Sequence, residues 1–178
     1  MSSRRRLHFG CGAITPPDWI NADRKSGPGI DVRCDITVGL PFPDDSLDYI
    51  TSQHALQDLR IFRQVSVMAE LRRVLKPGGV LRLGLPDLDR AIAAYHSGRR
   101  DYFIPREWET LGGDFITHIL WYNETSTLFT RKFADELLRK AGFAEVAQVE
   151  YRQTLIGPPG VVELDHREHE SFYIEARK

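Results

Sequence analysis

The sequence predicts an α/β chain built on an open, mostly parallel sheet with helices on both faces, a shortened first crossover helix and an antiparallel last strand. Three observations carry this. Leu7-His8-Phe9 is a short apolar run that ends in Gly10-Cys11-Gly12, as a buried parallel strand does when its carboxyl end opens toward a ligand. Strand-like and helical patterns alternate along most of the chain, which favours a sheet with helices packed on it. Gly10 to Gly12, Asp23, Asp35 and Gln53-His54 all fall at the ends of the first four strands, the edge where ligands sit in such sheets.

Only six residues separate Gly12 from the second strand, Trp19 to Asp23, and they include Pro16-Pro17. A parallel crossover normally needs a dozen or more residues, so the first one is cut to about one turn, and Trp19 is expected to cover sheet surface left bare. Ile30 to Asp35 reads as the third strand and Leu47 to Gln53, with its β-favouring alternation, as the fourth. Met68, Leu71, Val74 and Leu75 recur at helical spacing over Gln64 to Lys76, with Pro77-Gly78-Gly79 as the stop. Val80 to Pro86 is the fifth strand, and a helix follows over Leu88 to Tyr95. A short helix is expected near Ile116 to Trp121, and an amphipathic one over Thr130 to Ala141 with Gly142 as its stop. Ala144 to Arg152 and Ser171 to Ala176 form two last strands joined without a helix, hence antiparallel, with a long loop between them from Gln153 to Glu170.

Length and charge exclude several classes. A chain of 178 residues suits one domain with a real core, and a formal net charge of −1 leaves no basic excess to track nucleic-acid phosphates. Arg4 to Arg6 form a short basic cluster within an expected flexible tail over residues 1–6. No stretch has the apolar length of a membrane span, and the charged start lacks the hydrophobic run of a signal peptide. Cys11 and Cys34 lack metal-ligand spacing and suit a reduced, cytoplasmic setting, and no metal site is expected at His166 and His169 either. Cys11 reads as a small packing residue, and Asp44-Asp45 as a solvated turn.

Leu7 to Gly12, Trp19 to Asp23, Asp35, Leu40 to Asp48, Arg73 to Gly79 and Leu85-Pro86-Asp87-Leu88 together resemble the class I S-adenosylmethionine-dependent methyltransferases, in particular a small predicted bacterial group. The resemblance is close over residues 7–88 and loose over 114–178. It implies a Rossmann-like fold and a single methyltransferase-like domain over 1–178 that moves a methyl group from S-adenosylmethionine, with S-adenosylhomocysteine as product. By position, the Gly10, Cys11 and Gly12 backbone would lie against the methionine part. Asp23 would accept the two ribose hydroxyls, Asp35 with the Ile36 backbone would read the adenine, and Gln53 and His54 would stand near the sulfonium. His8 stands where larger relatives carry an acidic residue, and Leu56-Gln57-Asp58 replaces the Leu-Glu-His of relatives.

Methyl transfer is a direct displacement in which positioning supplies much of the rate, and a base helps when the acceptor must lose a proton. The candidate bases are His54 and His118, with Tyr122 one turn beyond His118 on the same face if that segment is helical. The competing reading gives both histidines structural hydrogen bonds. The acceptor is expected to be a small molecule or sugar-like compound, bound by the aromatic segment 101–126 and the loop from Gln153 to Glu170. A nicotinamide-dependent oxidoreductase is the alternative. The missing third glycine and an acidic residue only eleven positions after Gly12 count against it. A non-catalytic cofactor-binding or interaction protein is the third reading, kept open by Gln57-Asp58.

Overall fold

A computed structural model describes residues 5–178. Seven strands form one sheet: β1 Arg6–Phe9, β2 Ile20–Asp23, β3 Val32–Arg33, β4 Leu47–Gln53, β5 Leu75–Pro86, β6 Glu145–Val149 and β7 Ser171–Arg177. Their order is β3-β2-β1-β4-β5-β7-β6. The pairs among β1 to β5 are parallel, and β7 runs antiparallel to both β5 and β6. Four helices accompany the sheet: α1 Gln64–Val74, α2 Leu88–His96, α3 Leu111–Leu120 and α4 Arg131–Lys140. Three of them begin on a side-chain cap, with Asp87, Thr110 and Thr130 accepting from Arg90, Gly113 and Phe133 N–H.

The expected sheet, its antiparallel last strand and the short first crossover are all present, with boundaries that differ for local reasons. Arg6 is the first residue of β1 and the Arg5 N–H donates to Asp48 Oδ2 at 2.7 Å, so the end of the expected tail is tied to the sheet. Residues 1–4 of that tail lie outside the described residues. Helix α1 ends at Val74, two residues early, because Pro77 disfavours helical backbone just before it and Leu75 is already extended. Leu75 pairs with Leu47, Lys76 to Gly79 bulge out, and pairing resumes at Val80 opposite Tyr49. Gly78, at φ +77, makes that bulge possible.

The two faces of the sheet are unlike. On one face Leu7, Phe9, Ile50, Leu81, Leu83 and Ile174 pack against Val67 and Leu71 of α1 and Leu137 and Leu138 of α4. The other carries Tyr49, Thr51, Gln53, Arg82, Tyr173 and Glu175. Helical cover is therefore uneven: Trp19 and Val161, the latter on a 3-10 turn at Pro159–Val162, pack on Tyr49 and Val80 of this second face. Trp19 meets Tyr49 edge-on at 5.3 Å, in the covering role expected of it. Most of the loop from Gln153 to Glu170 is thus a lid on the sheet, where an acceptor wall at the strand ends was expected.

That loop is held by Arg82, which is fully buried. Its Nε donates to Asp165 Oδ1 at 2.7 Å, Nη1 to Glu175 Oε1 at 2.8 Å and to the Gln153 carbonyl at 2.9 Å, and Nη2 to the Glu150 carbonyl at 3.2 Å and to Asp165 Oδ2. All five guanidinium N–H groups are used. Glu175 also accepts the Leu155 and Ile156 N–H groups, both at 3.1 Å, and Asp165 the Arg152 N–H at 2.8 Å. Arg82→Met would leave both carboxylates buried without their cation. Urea unfolding should show a loss of about 3–5 kcal/mol, and a loss under about 1 kcal/mol would mean the lid does not depend on Arg82.

Candidate functional site

The loop after β1 begins with two glycines that do different work. Gly10 lies at φ +67, and a Cβ there would collide with the Ala55 side chain, so its lack of one serves packing. Gly12 lies at φ +55, and a Cβ there would meet nothing within 4 Å, which leaves its surface open to a ligand. The Gly12 N–H donates to Asp23 Oδ2 at 3.0 Å and the Lys25 N–H to Asp23 Oδ1 at 2.9 Å. The carboxylate therefore ties the loop to the end of β2 while each oxygen keeps a second acceptor position. Cys11 is buried, and its thiol is pushed up to about 11 by burial and then by the Asp23 charge, so it stays protonated.

At the end of β3, Asp35 Oδ1 accepts the Thr37 hydroxyl at 2.7 Å and the Thr37 N–H at 2.9 Å, which holds its carboxyl below the usual range. Its Oδ2 and the Ile36 N–H have no partner among the described residues, an acceptor and a donor side by side. The Ile36 side chain is buried in the main core.

Beyond the ends of β4 and β5 lies a cleft of about 310 Å³, with His54, Pro86 and His118 among its lining. The His54 Nε2 lies 2.7 Å from Ser171 Oγ. Burial, followed by the Arg167, His166 and His118 charges, pushes His54 down to about 3, so the ring is neutral. The His118 Nδ1 lies 3.1 Å from the Ile104 carbonyl, and its ring is packed edge-on by Tyr102 and Phe103. The Ile104 N–H also donates to Nδ1, at 3.4 Å; in the tautomer whose Nδ1–H donates to the Ile104 carbonyl, Nε2 keeps its lone pair.

Residues 7–83 match a family model described as a methyltransferase domain. The demethylmenaquinone methyltransferase of Listeria monocytogenes serotype 4a is 29% identical over 162 residues, covering 84% of this chain and 60% of that protein. That of Geobacillus stearothermophilus is 32% identical over 111 residues, covering 60% of this chain and 46% of that protein. Over residues 7–83 the chain is therefore similar to methyltransferase domains, and the relatives it matches are named methyltransferases.

Solved structures described as methyltransferases share this fold. A protein from Archaeoglobus fulgidus, described as a SAM-dependent methyltransferase, superposes with a TM-score of 0.63 at 13% identity, covering 99% of this chain and 87% of that one. An S-adenosylmethionine-dependent methyltransferase from Mesorhizobium loti gives 0.57 at 18%, covering 98% and 90%. At these identities the likeness concerns the fold alone. The chain spans about half the length of the curated relatives it matches, 46% and 60% for the two above. Nothing among these matches supports the nicotinamide alternative.

Within the structure, the expected site residues divide. Gly12, Asp23, Asp35, the Ile36 backbone, His54 and His118 face the strand ends or the cleft. Gln53 does not: its Nε2 donates to Thr51 and to Asp165, both at 3.3 Å, because the strand's alternation turns it to the second face beneath Gly84. Tyr122 is also displaced. Helix α3 ends at Leu120, and Trp121, Tyr122 and Asn123 all have positive φ, so the chain reverses before one more turn can form. Tyr122 is exposed and donates to Glu107 Oε1 at 2.6 Å. Of the aromatic segment, Tyr102, Phe103 and Phe115 pack with Ala91 and Ala94 as a small core between α2 and α3. Trp121 alone of the expected aromatics reaches the cleft.

Gln57, Asp58, Arg167, Glu170 and Ser171 are the site residues that sequence reasoning did not assign. Gln57-Asp58 carried a signal, its departure from the Leu-Glu-His of relatives. The others had none, because Ser171 reaches His54 only through the pairing of β7 beside β5, where it lies opposite Pro86.

Two neutral histidines, His8 buried and His54 half-buried, make stability depend on pH. His8 is pushed down to about 4 by burial and His54 to about 3, from an ordinary 6.5. Between these values the unfolded chain binds protons that the folded chain refuses. Stability should therefore fall as pH drops below about 6.5, by up to about 1.4 kcal/mol per unit for each histidine. Urea midpoints measured at pH 7 and pH 5 should show the fall, roughly halved in His54→Asn. A flat profile would mean these rings accept protons in the folded state.

Proposed function

We propose that the chain binds S-adenosylmethionine at the ends of β1 to β3 and transfers its methyl group to a small-molecule acceptor in the adjoining cleft. The observation that carries this reading is the set of polar groups left open in a row: the unobstructed face of Gly12, the spare acceptor positions of Asp23, and the Asp35 Oδ2 beside the Ile36 N–H. They suit, in order, a backbone-hugging chain, a pair of ribose hydroxyls, and an adenine that offers an amino donor next to a ring acceptor. S-adenosylmethionine supplies an already activated methyl group on a sulfonium, so the protein's part is alignment.

Asp23 orients the ribose while holding the Gly12 loop in place. His118 Nε2 and His54 Nδ1 are the two ring nitrogens that can take a proton from an acceptor in the cleft. His118 is the better placed, because burial and neighbouring positive charge oppose protonation of His54. Gln53, buried on the other face, supports the strand end and has no part in binding. Tyr122, paired with Glu107, has none in catalysis. A cleft of about 310 Å³ is sized for a small molecule, and its polar lining suits a sugar-like one. The curated relatives carry the name of a demethylmenaquinone acceptor. No helix among the described residues is long and apolar enough to cross a membrane. The free thiols Cys11 and Cys34 support a cytoplasmic setting.

Calorimetric titration tests the reading. S-adenosylhomocysteine should bind the parent chain and bind at least about tenfold more weakly to Asp23→Ala, a loss of ~1.4 kcal/mol that falls within the range for hydrogen bonds to a charged group. Gly12→Val should fold and fail to bind, since its branched side chain would fill the open face. A folded parent that ignores S-adenosylhomocysteine would overturn the reading, and unchanged affinity in Asp23→Ala would remove Asp23 from the site.

A further inference from the structure

One wall of the cleft offers hydrogen-bond acceptors that the protein itself does not satisfy. A 3-10 turn, Leu56–Asp58, places Gln57 and Asp58 at the cleft just beyond β4, and the reversal after α3 brings Glu124 to the same space. Gln57 is only 8% exposed, and its Nε2 donates to the His54 carbonyl at 2.7 Å. That bond fixes the amide plane and leaves Oε1 buried with no partner. A buried acceptor left in this state has lost its water without gaining a partner, a cost that a bound N–H donor would recover.

The two carboxylates are equally uncommitted. Neither Asp58 nor Glu124 makes a side-chain hydrogen bond or an ion pair among the described residues. They are near enough that the Glu124 charge adds to partial burial in raising the Asp58 carboxyl. Two cationic side chains also line the cleft. Arg167 is engaged with Glu170 at 2.9 Å, and Lys25 lies near enough for its charge to act on Asp58 without forming an ion pair with it. Trp121 lines the same space and adds an aromatic surface of the kind that favours cations. The wall therefore holds an orphaned carbonyl, two free carboxylates and an indole.

We infer that Gln57, Asp58 and Glu124 receive an ammonium group of the acceptor, so that the cleft selects amine-bearing small molecules over neutral ones of the same shape. This rests on the methyl-transfer reading and narrows its acceptor. A primary ammonium brings three N–H donors and one positive charge, which match one carbonyl and two carboxylates. An alcohol brings a single donor and leaves the carboxylates to repel each other in a confined space.

The test uses the whole chain saturated with S-adenosylhomocysteine, titrated with phenethylamine and with phenethyl alcohol. The amine should bind at least about tenfold more tightly, and the Asp58→Asn/Glu124→Gln double variant should lose that preference while keeping its S-adenosylhomocysteine affinity. Equal affinities, binding of neither probe, or a preference that survives the double substitution would overturn the inference. So would a double variant that keeps its amine preference but loses S-adenosylhomocysteine, since the wall would then serve the cofactor. The same titrations without S-adenosylhomocysteine separate the two ideas. A parent chain that fails to bind S-adenosylhomocysteine counts against methyl transfer, while the amine preference is still measured on its own.

Discussion

The structure depends on one buried guanidinium. A parallel sheet needs both faces covered, and here the first crossover is too short to supply a helix to the second face. Arg82, at the middle of β5, solves this electrostatically. It draws Asp165 from the loop and Glu175 from β7 onto the polar face, and those carboxylates then hold the loop's own N–H groups. Two carboxylates facing one cation leave a net negative charge in the interior, which is tolerable only because backbone donors share it. The result is a lid made of hydrogen bonds and one small apolar patch at Trp19, Tyr49, Val80 and Val161.

That lid reaches the functional edge only at its end. From Asp165 the chain passes His166 and Arg167 to Ser171, where β7 begins beside β5. Anchoring Asp165 under the sheet thereby fixes where Arg167 and Glu170 meet the cleft and where Ser171 meets His54. Stability of the second face and shape of the cleft are consequently parts of one arrangement, and a change at Arg82 would be felt at the cleft without touching it.

The cleft also divides its charges by position. The ring at the end of β4, His54, is held neutral chiefly by burial. The carboxylates lie farther out, on the turn after β4 and the reversal after α3. The acidic outer wall favours cationic groups.

Much of this was legible in the sequence alone. Parallel strands read clearly because their apolar alternation and the breakers that end them are local. Gly10-Cys11-Gly12, Asp23, Asp35 and His54 could be placed at strand ends for the same reason, as could the covering role of Trp19, which followed from six residues in a crossover. What local pattern could not carry was the direction of side chains at the sheet's second face. Gln53 looked like a strand-end polar residue and is a buried support. Tyr122 looked like the next turn of a helix that three left-handed residues stop. The loop from Gln153 to Glu170 looked like a cover for the cleft and mostly covers the sheet. The course of that loop is decided by Arg82, Asp165 and Glu175 meeting across the fold, separated in sequence by 83 and 93 positions. An ion pair at such separation leaves no trace in periodicity or composition, so only the tertiary structure could decide it.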